Sequence, residues 1–599
     1  MLQKPMLPTL SEDVPTGEEW SYEVKYDGFR TLLHWTEEGI TLWSRNGKPL
    51  HDRFPEIVKS LSEWTETISS FLPLQIDGEI VIKNTPYQAN FPLLQMRNRM
   101  RNTTSIQTAA RHRPSLLMCF DITEIKGASI TKEPLSKRRS TLSDVLESLS
   151  CPRLELIQSF PTYKEASELV FLHLGEGVVA KRVTSPYAPG ERSADWIKIK
   201  HWRTVSGFLQ QYDTDNGYYH IGVYNGDAIT KLGSFKHGLS RAQQQTLRQF
   251  VTEKGIRKNG IYNIPPAVCL DVHCLHAQKD DLREPMFNAF RFDLSPEECT
   301  MEKVQWDLSL YPHVDTSNEK KWLWKSAAFT KQNLLIYLRL VAPYMLPYLR
   351  DKRLTVIRYP DGVDEDSFYQ KHLPDYAPDF IQSVEDGEEV FMVCQNLHTL
   401  LWLGNQAALE YHIPFNKEQF TTPDEIVFDL DPPDRESFSL AIRAAKLLKL
   451  VLDELQIKVF IKASGNKGMQ LHIPIPEGSL SYEETRSFTE QLARLLVKQE
   501  PELFTMERLK KNRGRRLYID YIQHAEGKTI ICPFSPRATA EGTVAMPLFW
   551  NEVDEGLSPL SFTICNALDR LKEHGNAFAG YNEARTDIQV KHIKKLIEP

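Results

Sequence analysis

Short stretches in which apolar and polar residues alternate recur along the whole chain, and they constrain its fold more than any other feature. Examples are WSYEVKYD (20–27), DWIKIK (195–200) and EIVFDLD (425–431). Alternation with a period of two predicts β-strands, and the stretches between them have helical or loop patterns. Since the chain has 599 residues, about three to five folding units are expected and a single domain is excluded. The sequence therefore predicts a multidomain α+β protein.

The pattern changes three times along the chain, which predicts four segments. Residues 1–200 hold short strands separated by helical or loop segments and are expected to form one α+β domain. Residues 201–295 are rich in strands with one helical segment, a pattern compatible with a small five-stranded barrel. Residues 296–325 are expected to form a connector, and residues 326–599 again alternate helices with strands, which indicates a further α/β unit.

Composition limits the environments in which the protein works. The eight cysteines include no CxxC pair, and Cys269 and Cys274 lack zinc-ribbon spacing, so they are interpreted as reduced thiols. The N-terminal stretch has no apolar signal-peptide core, and Arg339 interrupts the most apolar helical stretch (333–350), so a cytoplasmic protein is expected. The net charge of −7 argues weakly against nucleic acid as a partner, but ERLKKNRGRR (507–516) has six basic residues in ten.

The stretch EVKYDGFR (23–30) places a lysine where nucleophilic chemistry is possible. Lys25 and Asp27 share one face of a strand because residues two apart point the same way, and Asp-Gly then turns the chain. An amine at a strand end can act as a nucleophile if nearby cations lower its pKa, and WIKIK (196–200) places two lysines on one face. A lone KxDG is most often only a turn, so its meaning depends on the other motifs.

Acidic and basic motifs follow this lysine in a fixed order, which reads KYDG, SRNG, DGE, FD, EGVVAK and WIKIK. The carboxylates of Asp77 and Glu79 in DGE and of Glu176 in EGVVAK can bind a divalent metal, and the lysines can bind phosphates. Together these groups suit attack on the α-phosphate of a nucleoside triphosphate. The order of the motifs resembles that of the covalent nucleotidyltransferases, specifically the ATP-dependent DNA ligases.

This resemblance implies a fold and a set of roles. The implied fold is a nucleotidyltransferase (ATP-grasp-like) ligase core followed by an OB-fold β-barrel. Lys25 would form a phosphoramidate with AMP, the AMP would pass to a DNA 5′-phosphate, and a 3′-hydroxyl would then displace it. The other implied residues are Glu23 for adenine selection, Arg30 and Arg45 for the nucleotide or the DNA 5′-phosphate, Glu79 for ribose or metal, Phe120 for adenine stacking, Glu176 for metal, and Lys181, Lys198 and Lys200 for phosphates.

The stretch EIVFDLDPPD (425–434) sets two aspartates on one face of a strand. Asp429 and Asp431 are two residues apart, so their carboxylates can share a pair of divalent ions for in-line phosphoryl transfer. RLYIDYIQH offers Asp520 as a third acid. Between them, the Gly-rich turn KASGNKG (462–468) can present backbone N–H groups and a lysine to a triphosphate, although it lacks Walker A spacing. Because DxD alone is frequent in surface loops, the surrounding motifs decide its interpretation.

These motifs occur with RYPDGVDEDSFYQKHLP, LEYHIP, DYIQ and CPFSPRA in the order seen in bacterial end-joining primase-polymerase domains. The resemblance implies an archaeo-eukaryotic primase-like (RRM-related) fold in which Asp429, Asp431 and Asp520 bind metal. The other implied residues are His412, Ser464, Lys467, Gln523 and Arg537 for the incoming nucleotide, and Tyr369 and Lys371 for a base or a DNA phosphate. In the basic run before Asp520, candidates for DNA contact or a solvated surface are Arg513, Arg515 and Arg516.

Two positions depart from these family patterns. The ligase barrel ends in an Arg-x-Asp-Lys motif, which reads RFDL (291–294) here, and Leu294 cannot replace a cation. The polymerase family commonly has Leu-His after SGxKG, whereas this chain has SGNKGMQ (464–470) with Gln470 in the histidine position. His472 lies two residues later on the same strand face and is expected to compensate in part.

Together the two halves resemble the bacterial non-homologous end-joining ligase/polymerase family known as ligase D, in the order ligase then polymerase and without a phosphoesterase module. The resemblance implies an enzyme that fills and seals broken DNA ends, using ATP, nucleoside triphosphates and Mg²⁺ or Mn²⁺. It also implies recruitment by the end-binding protein Ku, association with the nucleoid and no membrane partner. Two alternatives stay open: a guanylyl- or RNA-directed nucleotidyltransferase, and a DNA ligase whose C-terminal half is a catalytically weak end-bridging scaffold.

Overall fold

The computed structural model describes residues 4–278, 281–309 and 314–597. The chain forms two compact units, Met1–Tyr311 and Pro312–Pro599. Each unit combines helices with sheets, which confirms the predicted α+β multidomain class. Residues 310–313 of the predicted connector lie outside the described residues, and the finer domain boundaries stay predictions.

Two sheets dominate the first 200 residues. Their strands are β1 (Leu7–Leu10), β2 (Trp20–Lys25), β3 (Phe29–Trp35), β4 (Ile40–Ser44), β5 (Leu74–Val81), β6 (Lys83–Thr85), β7 (Gln88–Ala89), β8 (Leu116–Ile125), β9 (Ala128–Ser129), β10 (Leu154–Leu156), β11 (Ser159–Phe160), β12 (Gly177–Arg182) and β13 (Arg192–Lys200). One sheet has the order β1-β13-β12-β2-β11 and the other β10-β8-β5-β3-β4, with β9 beside β8. Buried apolar side chains form a core in each, around Val24 and Trp196 in the first and around Trp35 and Ile76 in the second.

Five helices accompany these sheets, and one of them is tied to a motif strand by a buried ion pair. The helices are α1 (Pro55–Ser62), α2 (Phe91–Arg99), α3 (Thr103–His112), α4 (Leu135–Glu147) and α5 (Tyr163–His173). Arg138 of α4 donates to both carboxylate oxygens of Asp121 on β8, each at 2.8 Å, and both side chains are fully buried. Asp121, the aspartate of the FD motif, therefore links β8 to α4. The preceding residue, Phe120, lines a cavity of this unit.

The remainder of the first unit is a barrel-like sheet. Its elements are β14 (Arg203–Asp213), β15 (Tyr219–Asn225), β16 (Ala228–Phe235), α6 (Arg241–Lys254), β17 (Ile256–Lys258), β18 (Ile261–Asn263), β19 (Cys269–Cys274), β20 (Ala277–Gln278), β21 (Asp281–Leu282), β22 (Met286–Phe290) and α7 (Met301–Leu308). The sheet has seven strands and not five: β14, β15, β16, β19 and β22 pair in one series, and the hairpin β17-β18 extends the sheet. Strands of three residues are too short for alternation to reveal, so the sequence did not predict this hairpin.

The second unit contains fourteen strands and seven helices among its described residues. The strands are β23 (Trp322–Trp324), β24 (Phe329–Thr330), β25 (Thr355–Arg358), β26 (Phe368–Gln370), β27 (Ser383–Asp386), β28 (Glu389–Met392), β29 (Ala408–Pro414), β30 (Glu425–Asp431), β31 (Phe460–Ala463), β32 (Met469–Pro474), β33 (Phe504–Thr505), β34 (Leu517–Asp520), β35 (Thr529–Ile531) and β36 (Pro547–Leu548). The helices are α8 (Lys331–Leu349), α9 (Leu397–Asn405), α10 (Phe438–Glu454), α11 (Tyr482–Gln499), α12 (Lys510–Arg513), α13 (Ala567–His574) and α14 (Asp587–Ile597).

Two sheets organise this unit and position its motif residues. The larger has the order β33-β34-β30-β32-β31-β36 and the smaller β26-β25-β29-β35. Helix α11 begins at a capping box, in which Ser481 and Glu484 satisfy each other's backbone N–H groups, and it packs against α10 and α14. Among the described residues, none of the helices has the length and apolar character needed to cross a membrane.

A buried histidine predicts how the second unit responds to acid. Burial lowers the pKa of His524 to about 4 from an ordinary value of 6.5, its Nε2 bonds Thr485, and its Nδ1 has no partner among the described residues. Between these pH values the unfolded chain binds a proton that the folded chain does not. The free energy of unfolding is therefore expected to fall by about 3 kcal/mol through this residue as the pH drops from 7 to 4.

Urea unfolding of the wild type and of His524→Gln at pH 7 and pH 4 measures this contribution. The variant keeps a polar group near Thr485 but cannot titrate, so its acid-induced loss of stability should be smaller by about 3 kcal/mol. His372→Gln is the matched control, because the side chain of His372 is 50% exposed. Equal losses in the wild type and in His524→Gln would contradict the prediction.

Candidate active sites

Lys25 is the last residue of β2, in the part of the sheet where β2, β12 and β13 lie side by side. The pairing register forms two rows across these strands, Lys25–Gly177–Lys200 and Glu23–Val179–Lys198. Gly177 has a φ of +157°, and a Cβ at this position would overlap the Ile199 carbonyl oxygen. Because residue 177 is a glycine, the three strands can approach closely. Lys25 and Lys200 therefore lie on either side of a position that has no side chain.

The charges around Lys25 determine the state of its amine. Lys25 Nζ lies 2.5 Å from Glu176 Oε2. Burial alone would lower the pKa of Lys25, but the negative charges of Glu176 and Glu79 outweigh it and hold the pKa above its ordinary value. The hypothesis that nearby cations lower this pKa is therefore wrong for the arrangement in the structure, although Lys200 Nζ does lie 4.0 Å from Glu176. Neutralising Glu176 and Glu79 would lower the pKa of Lys25, so that the amine could lose its proton and act as a nucleophile.

The two acids of the DGE motif, Asp77 and Glu79, have different surroundings on β5. Both oxygens of Asp77 are engaged, because Arg30 donates to each at 2.6 Å and the Tyr187 hydroxyl donates at 2.5 Å. Glu79 lines the same cavity as Lys25, and burial raises the pKa of Glu79 to about 8. Glu79 is therefore the DGE acid that can take a ligand, and Asp77 orients Arg30.

One cavity collects most of the residues that the ligase motifs predicted. Those that line it are Glu23, Lys25, Arg30, Arg45, Glu79, Phe120, Lys181 and Lys198. Glu176 and Lys200 adjoin it through the contacts of Glu176 with Lys25 and of Lys200 with Glu176. Residues scattered between positions 23 and 200 of the sequence thus meet at one site, as the resemblance implied.

Lys181 is placed differently from the other lysines. Its amine lies 2.6 Å from Glu23 Oε2, 4.4 Å from the centre of the Phe120 ring and 4.3 Å from the Trp196 ring. Burial lowers the pKa of Lys181. Arg139 of α4 donates to the other oxygen of Glu23, a contact that no sequence signal indicated. Lys181 therefore lies beside the residues predicted to select adenine and to stack on it. The predicted role of Lys181 in phosphate binding fits this position less well.

A loop of the barrel reaches the Lys25 site. Arg283 donates to Asp27 Oδ1 at 3.1 Å, and Lys200 donates to Glu284. Lys200 is therefore shared between this barrel carboxylate and Glu176. No sequence pattern indicated these contacts, because they join residues more than eighty positions apart and the loop lacks any periodicity.

The RFDL motif of the barrel forms its own ion-pair cluster. Arg291 lies 2.7 Å from an oxygen of Asp293 and 3.1 Å from an oxygen of Asp271. Leu294 packs against the apolar core of the barrel. The departure from lysine at this position thus has a packing explanation, since a leucine is stabilised where an ammonium group would have to be desolvated.

The acids of the second site come from two neighbouring strands. Asp429 and Asp431 lie on β30, and Asp520, the last residue of β34, pairs directly with Asp429. Burial raises the pKa of Asp429 to about 6, and the charges of Asp431 and Asp520 add to this effect. Asp520 accepts hydrogen bonds from the Tyr518 hydroxyl at 3.1 Å and from the Gln523 backbone N–H at 3.0 Å. A bound cation would stabilise the negative charges of these three neighbouring aspartates.

The three aspartates fit a divalent cation by their chemistry, although each has a polar partner. Gln470 donates to Asp429 at 3.1 Å, and Lys467 Nζ lies 2.9 Å from Asp431. Over the described ranges, no three His, Cys, Asp or Glu side chains converge as a ready-formed metal site. Three carboxylates on paired strands are nevertheless the hard oxygen donors that Mg²⁺ and Mn²⁺ prefer.

The SGNKG turn joins β31 to β32 beside these aspartates. Ser464 Oγ accepts a hydrogen bond from the Gly468 N–H at 3.1 Å, which closes the turn. A Cβ at position 468 would overlap the Leu430 carbonyl oxygen, so this glycine allows the turn to lie against β30. The turn thereby holds Lys467 next to Asp431, where the sequence predicted a lysine for the nucleotide.

His412 and Arg537 share a partner that the sequence did not reveal. Glu410 Oε2 lies 3.1 Å from His412 Nε2, and Glu410 Oε1 lies 3.2 Å from Arg537 Nε. Burial would raise the pKa of Glu410, but the bond from His412 and the charge of Arg537 hold it below its ordinary value. Glu410 and His412 are two residues apart on β29, so the polar alternation in LEYHIP was the available signal.

The residues predicted to contact DNA differ in how accessible they are. Tyr369 on β26 is 72% exposed, and Lys371 and Arg515 are also exposed. Arg513 and Arg516 instead donate to main-chain carbonyl oxygens of their own loop. Tyr369, Lys371 and Arg515 are therefore the members of this set that are open to a partner.

Gln470, and not His472, contacts the aspartates of the second site. His472 Nδ1 lies 2.8 Å from Glu425, and the Tyr581 hydroxyl donates to the same carboxylate at 2.5 Å. The expectation that His472 compensates for Gln470 finds no support in these contacts. The residue that Gln470 does contact on its other side is Lys462, to which the sequence motifs assigned no role.

Comparison with known proteins gives matches over both units. A family model described as the ATP-dependent DNA ligase domain matches residues 1–200, and one described as the LigD primase-polymerase domain matches residues 330–578. The bifunctional non-homologous end joining protein LigD of Bacillus subtilis is 40% identical over 584 residues, which cover 96% of each chain. The multifunctional LigD of Pseudomonas aeruginosa is 25% identical over 639 residues, covering 99% of this chain and 74% of that protein. The solved polymerase domain of Mycobacterium tuberculosis ligase D in complex with DNA is 26% identical and covers 46% of this chain and 100% of that one, with a TM-score of 0.42.

Proposed function

Because this chain belongs to the LigD family of bacterial non-homologous end-joining proteins, we propose that its two sites act in turn on the same broken DNA end, the second filling it and the first sealing it. Membership confirms the predicted order, ligase then polymerase, and the chain is an ATP-dependent DNA ligase with a primase-polymerase domain. The observation that carries the residue assignments is that the ligase motif residues line one cavity around Lys25.

Lys25 is the proposed nucleophile of the ligase site. Its Nζ forms a bond to the α-phosphorus of ATP, the bond to the bridging oxygen breaks, and pyrophosphate leaves with that oxygen. The AMP then passes from Lys25 to a DNA 5′-phosphate, and a 3′-hydroxyl attacks that phosphate and releases AMP. Glu176, 2.5 Å from the amine, holds it in place as an ion pair, and the amine gives its proton to solvent before attack once the charges of Glu176 and Glu79 are offset.

The other cavity residues are proposed to bind the two ends of the nucleotide. Lys198 and Lys200 lie on the two rows of paired residues across β2, β12 and β13. They are suited to bind the phosphates, on which negative charge builds up during the reaction. Glu23 and Phe120 lie together with Lys181 and suit the adenine end. Further nucleotide contacts are proposed for Arg30, Arg45 and Glu79, which line the same cavity.

The polymerase site is proposed to add nucleotides to a primer 3′-hydroxyl. Ser464 and Lys467 of the SGNKG turn adjoin the aspartates and suit the triphosphate. The remaining proposed nucleotide contacts are His412, Gln523 and Arg537. Lys467 supports the in-line displacement by offsetting the negative charge of the leaving pyrophosphate.

Divalent metal ions are proposed at both sites. Asp429, Asp431 and Asp520 would hold them in the polymerase site, and Glu79 and Glu176 would do so in the ligase site. Bound Mg²⁺ or Mn²⁺ supplies Lewis-acid stabilisation of phosphoryl oxygens. The surroundings of Asp429 and Glu79 support this assignment, because desolvation and the charges of neighbouring carboxylates raise both pKa values and a bound cation would stabilise the ionised forms.

The proposed partners are DNA ends, nicks and gaps, with the protein held at the nucleoid by its substrate. Tyr369, Lys371 and Arg515 are the exposed residues proposed to contact DNA, with Arg513 and Arg516 supporting the loop that carries Arg515. Recruitment by Ku is also proposed, on the family resemblance alone. Retention of the full chain on Ku-bound DNA ends, but not on bare ends at the same salt concentration, would support it.

A gapped duplex tests the coupled reaction. We expect the wild type to extend a primer by one nucleotide across a one-nucleotide gap and then to seal it to a downstream 5′-phosphate. Product length on a denaturing gel separates the steps, with Mn²⁺, Mg²⁺, ATP and the complementary nucleotide present and DNA in excess over enzyme. Without added ATP the extended primer should accumulate, and a downstream 5′-hydroxyl should likewise leave it unsealed.

The outcome of this assay also decides between the proposal and its alternatives. If a simple nick is sealed but the primer never grows, the C-terminal half is an end-bridging scaffold. If the protein labels itself with GTP and not with ATP, it is a guanylyl-type nucleotidyltransferase and not a DNA ligase. Growth followed by sealing supports both sites as assigned.

A further inference from the structure

Lys462 is a buried charge that the proposed function does not use. It lies on β31, its side chain is fully buried, and no Asp or Glu side chain in the described part of the chain lies within 4.0 Å of its amine. Burying an ammonium group without a close counter-ion is costly. The position of Lys462 therefore calls for a compensating partner nearby.

The sheet supplies that partner in the polymerase site. The strand register places Lys462, Gln470, Asp429 and Asp520 in one row across β31, β32, β30 and β34. Lys462 donates to Gln470 Oε1, and Gln470 Nε2 donates to Asp429 Oδ1 at 3.1 Å. Burial lowers the pKa of Lys462 to about 7, and the charge of Asp429 is the largest influence that opposes this lowering. The negative charge that offsets Lys462 thus lies on the aspartates, and Gln470 links Lys462 to Asp429 through hydrogen bonds.

We propose that Lys462 and Gln470 are positioning residues of the polymerase site, which together fix the orientation of the Asp429 carboxylate for metal binding. This inference rests on the proposed role of Asp429 as a metal ligand. An ammonium group donates hydrogen bonds and accepts none, so the Gln470 carbonyl oxygen must face Lys462. The amide NH₂ group then necessarily faces Asp429, where it is a donor.

Loss of Lys462 would remove this constraint. The two ends of an amide are nearly equal in shape, so Gln470 could turn over and present its carbonyl oxygen to the Asp429 carboxylate. Two acceptors repel each other, and the carboxylate would leave its present orientation. Groups that orient a metal ligand from behind typically change metal affinity by about ten-fold to a hundred-fold when they are removed.

The pair also explains the departure at position 470. A histidine at this position can present a ring N–H to Asp429. Unlike glutamine, it has no carbonyl oxygen that could replace this donor if the side chain turned over. Glutamine needs a second group to orient it, and Lys462 is that group. In this chain the glutamine and the buried lysine therefore act together on Asp429.

Mn²⁺ binding to the full-length protein tests the proposal without relying on activity. Electron paramagnetic resonance of free Mn²⁺ gives the affinity, and Asp429→Ala identifies the ions that belong to the polymerase site. Lys462→Met, which keeps the chain length without the charge, is expected to bind those ions about ten-fold more weakly. Combining it with Gln470→His is expected to recover the affinity to within about three-fold of the wild type, because the two changes are coupled. Lys458→Met is the matched control, since Lys458 is an exposed lysine just before the same strand.

Three results would overturn the proposal. The first is unchanged Mn²⁺ affinity in Lys462→Met. The second is a loss that the added Gln470→His does not recover and that accompanies a lower Tm in both variants, because it would assign Lys462 a packing role. The third is Asp429→Ala binding as many ions as the wild type, which would remove the proposed metal role of Asp429 itself and with it the basis of this inference.

Discussion

Lys25→Ala is expected to abolish both self-adenylylation and the sealing of nicked DNA, while nucleotide addition continues at the wild-type rate. The reason is that the amine of Lys25 is the group that bonds to the α-phosphorus. It lies 2.5 Å from Glu176 in the cavity that Glu79 also lines, whereas Lys200 lies 4.0 Å from Glu176 and is paired with Glu284. Removing an enzyme's nucleophile costs up to about a million-fold in rate, which places the residual activity below detection. Transfer of label from α-³²P-ATP to denatured protein measures the first step, and sealing of a nick measures the whole reaction.

The last step of ligation separates this effect from misfolding. Lys25→Ala should still seal DNA that already carries AMP on its 5′-phosphate, because that step uses the DNA 3′-hydroxyl as the nucleophile. Lys164→Ala is the control, since Lys164 lies on α5 with an 84% exposed side chain and should label normally. Labelling of Lys25→Ala at the wild-type level would contradict the assignment and would direct attention to Lys198 or Lys200 as the nucleophile.

The shared faces of some motif residues could be predicted because those motifs lie on strands. A period of two determines which side chains share a face, so alternation alone assigns the lysines of WIKIK to one common surface, and likewise the aspartates of FDLD. The pairing of Asp429 with Asp520 instead depends on the register between two strands, which the structure shows and alternation does not determine. The resemblance to known families then supplied the roles, which periodicity alone cannot do.

The properties that depend on distance could not be predicted in this way. The pKa of Lys25 is raised because Glu176 lies 2.5 Å away, whereas the sequence suggested only that lysines were near. The contact of Lys200 with Glu284 joins residues whose separation in sequence gives no register. The sequence does not indicate a role for Lys462, because a single lysine in an apolar strand has no pattern and only the strand pairing shows that it faces Gln470.

Asp429→Ala is expected to abolish nucleotide addition while a simple nick is still sealed. Asp429 is partly buried beside two further aspartates, so its removal takes away a ligand for the cations that offset charge in phosphoryl transfer, and losing one such group costs about a thousand-fold. The gapped duplex measures the effect as a primer that no longer grows. Asp569→Ala is the control, because the side chain of Asp569 is 79% exposed.

A mixture of the two variants tests whether different molecules can carry out the two steps. Equimolar Asp429→Ala and Lys25→Ala should together fill and seal the gap, because each supplies the step that the other lacks. The two residues belong to different compact units, so neither change is expected to disturb the other site. If each variant keeps its own single activity but the mixture leaves extended, unsealed primer, both steps must be carried out by one molecule that stays on the DNA between them. Loss of nick sealing in Asp429→Ala alone would instead contradict the independence of the two sites.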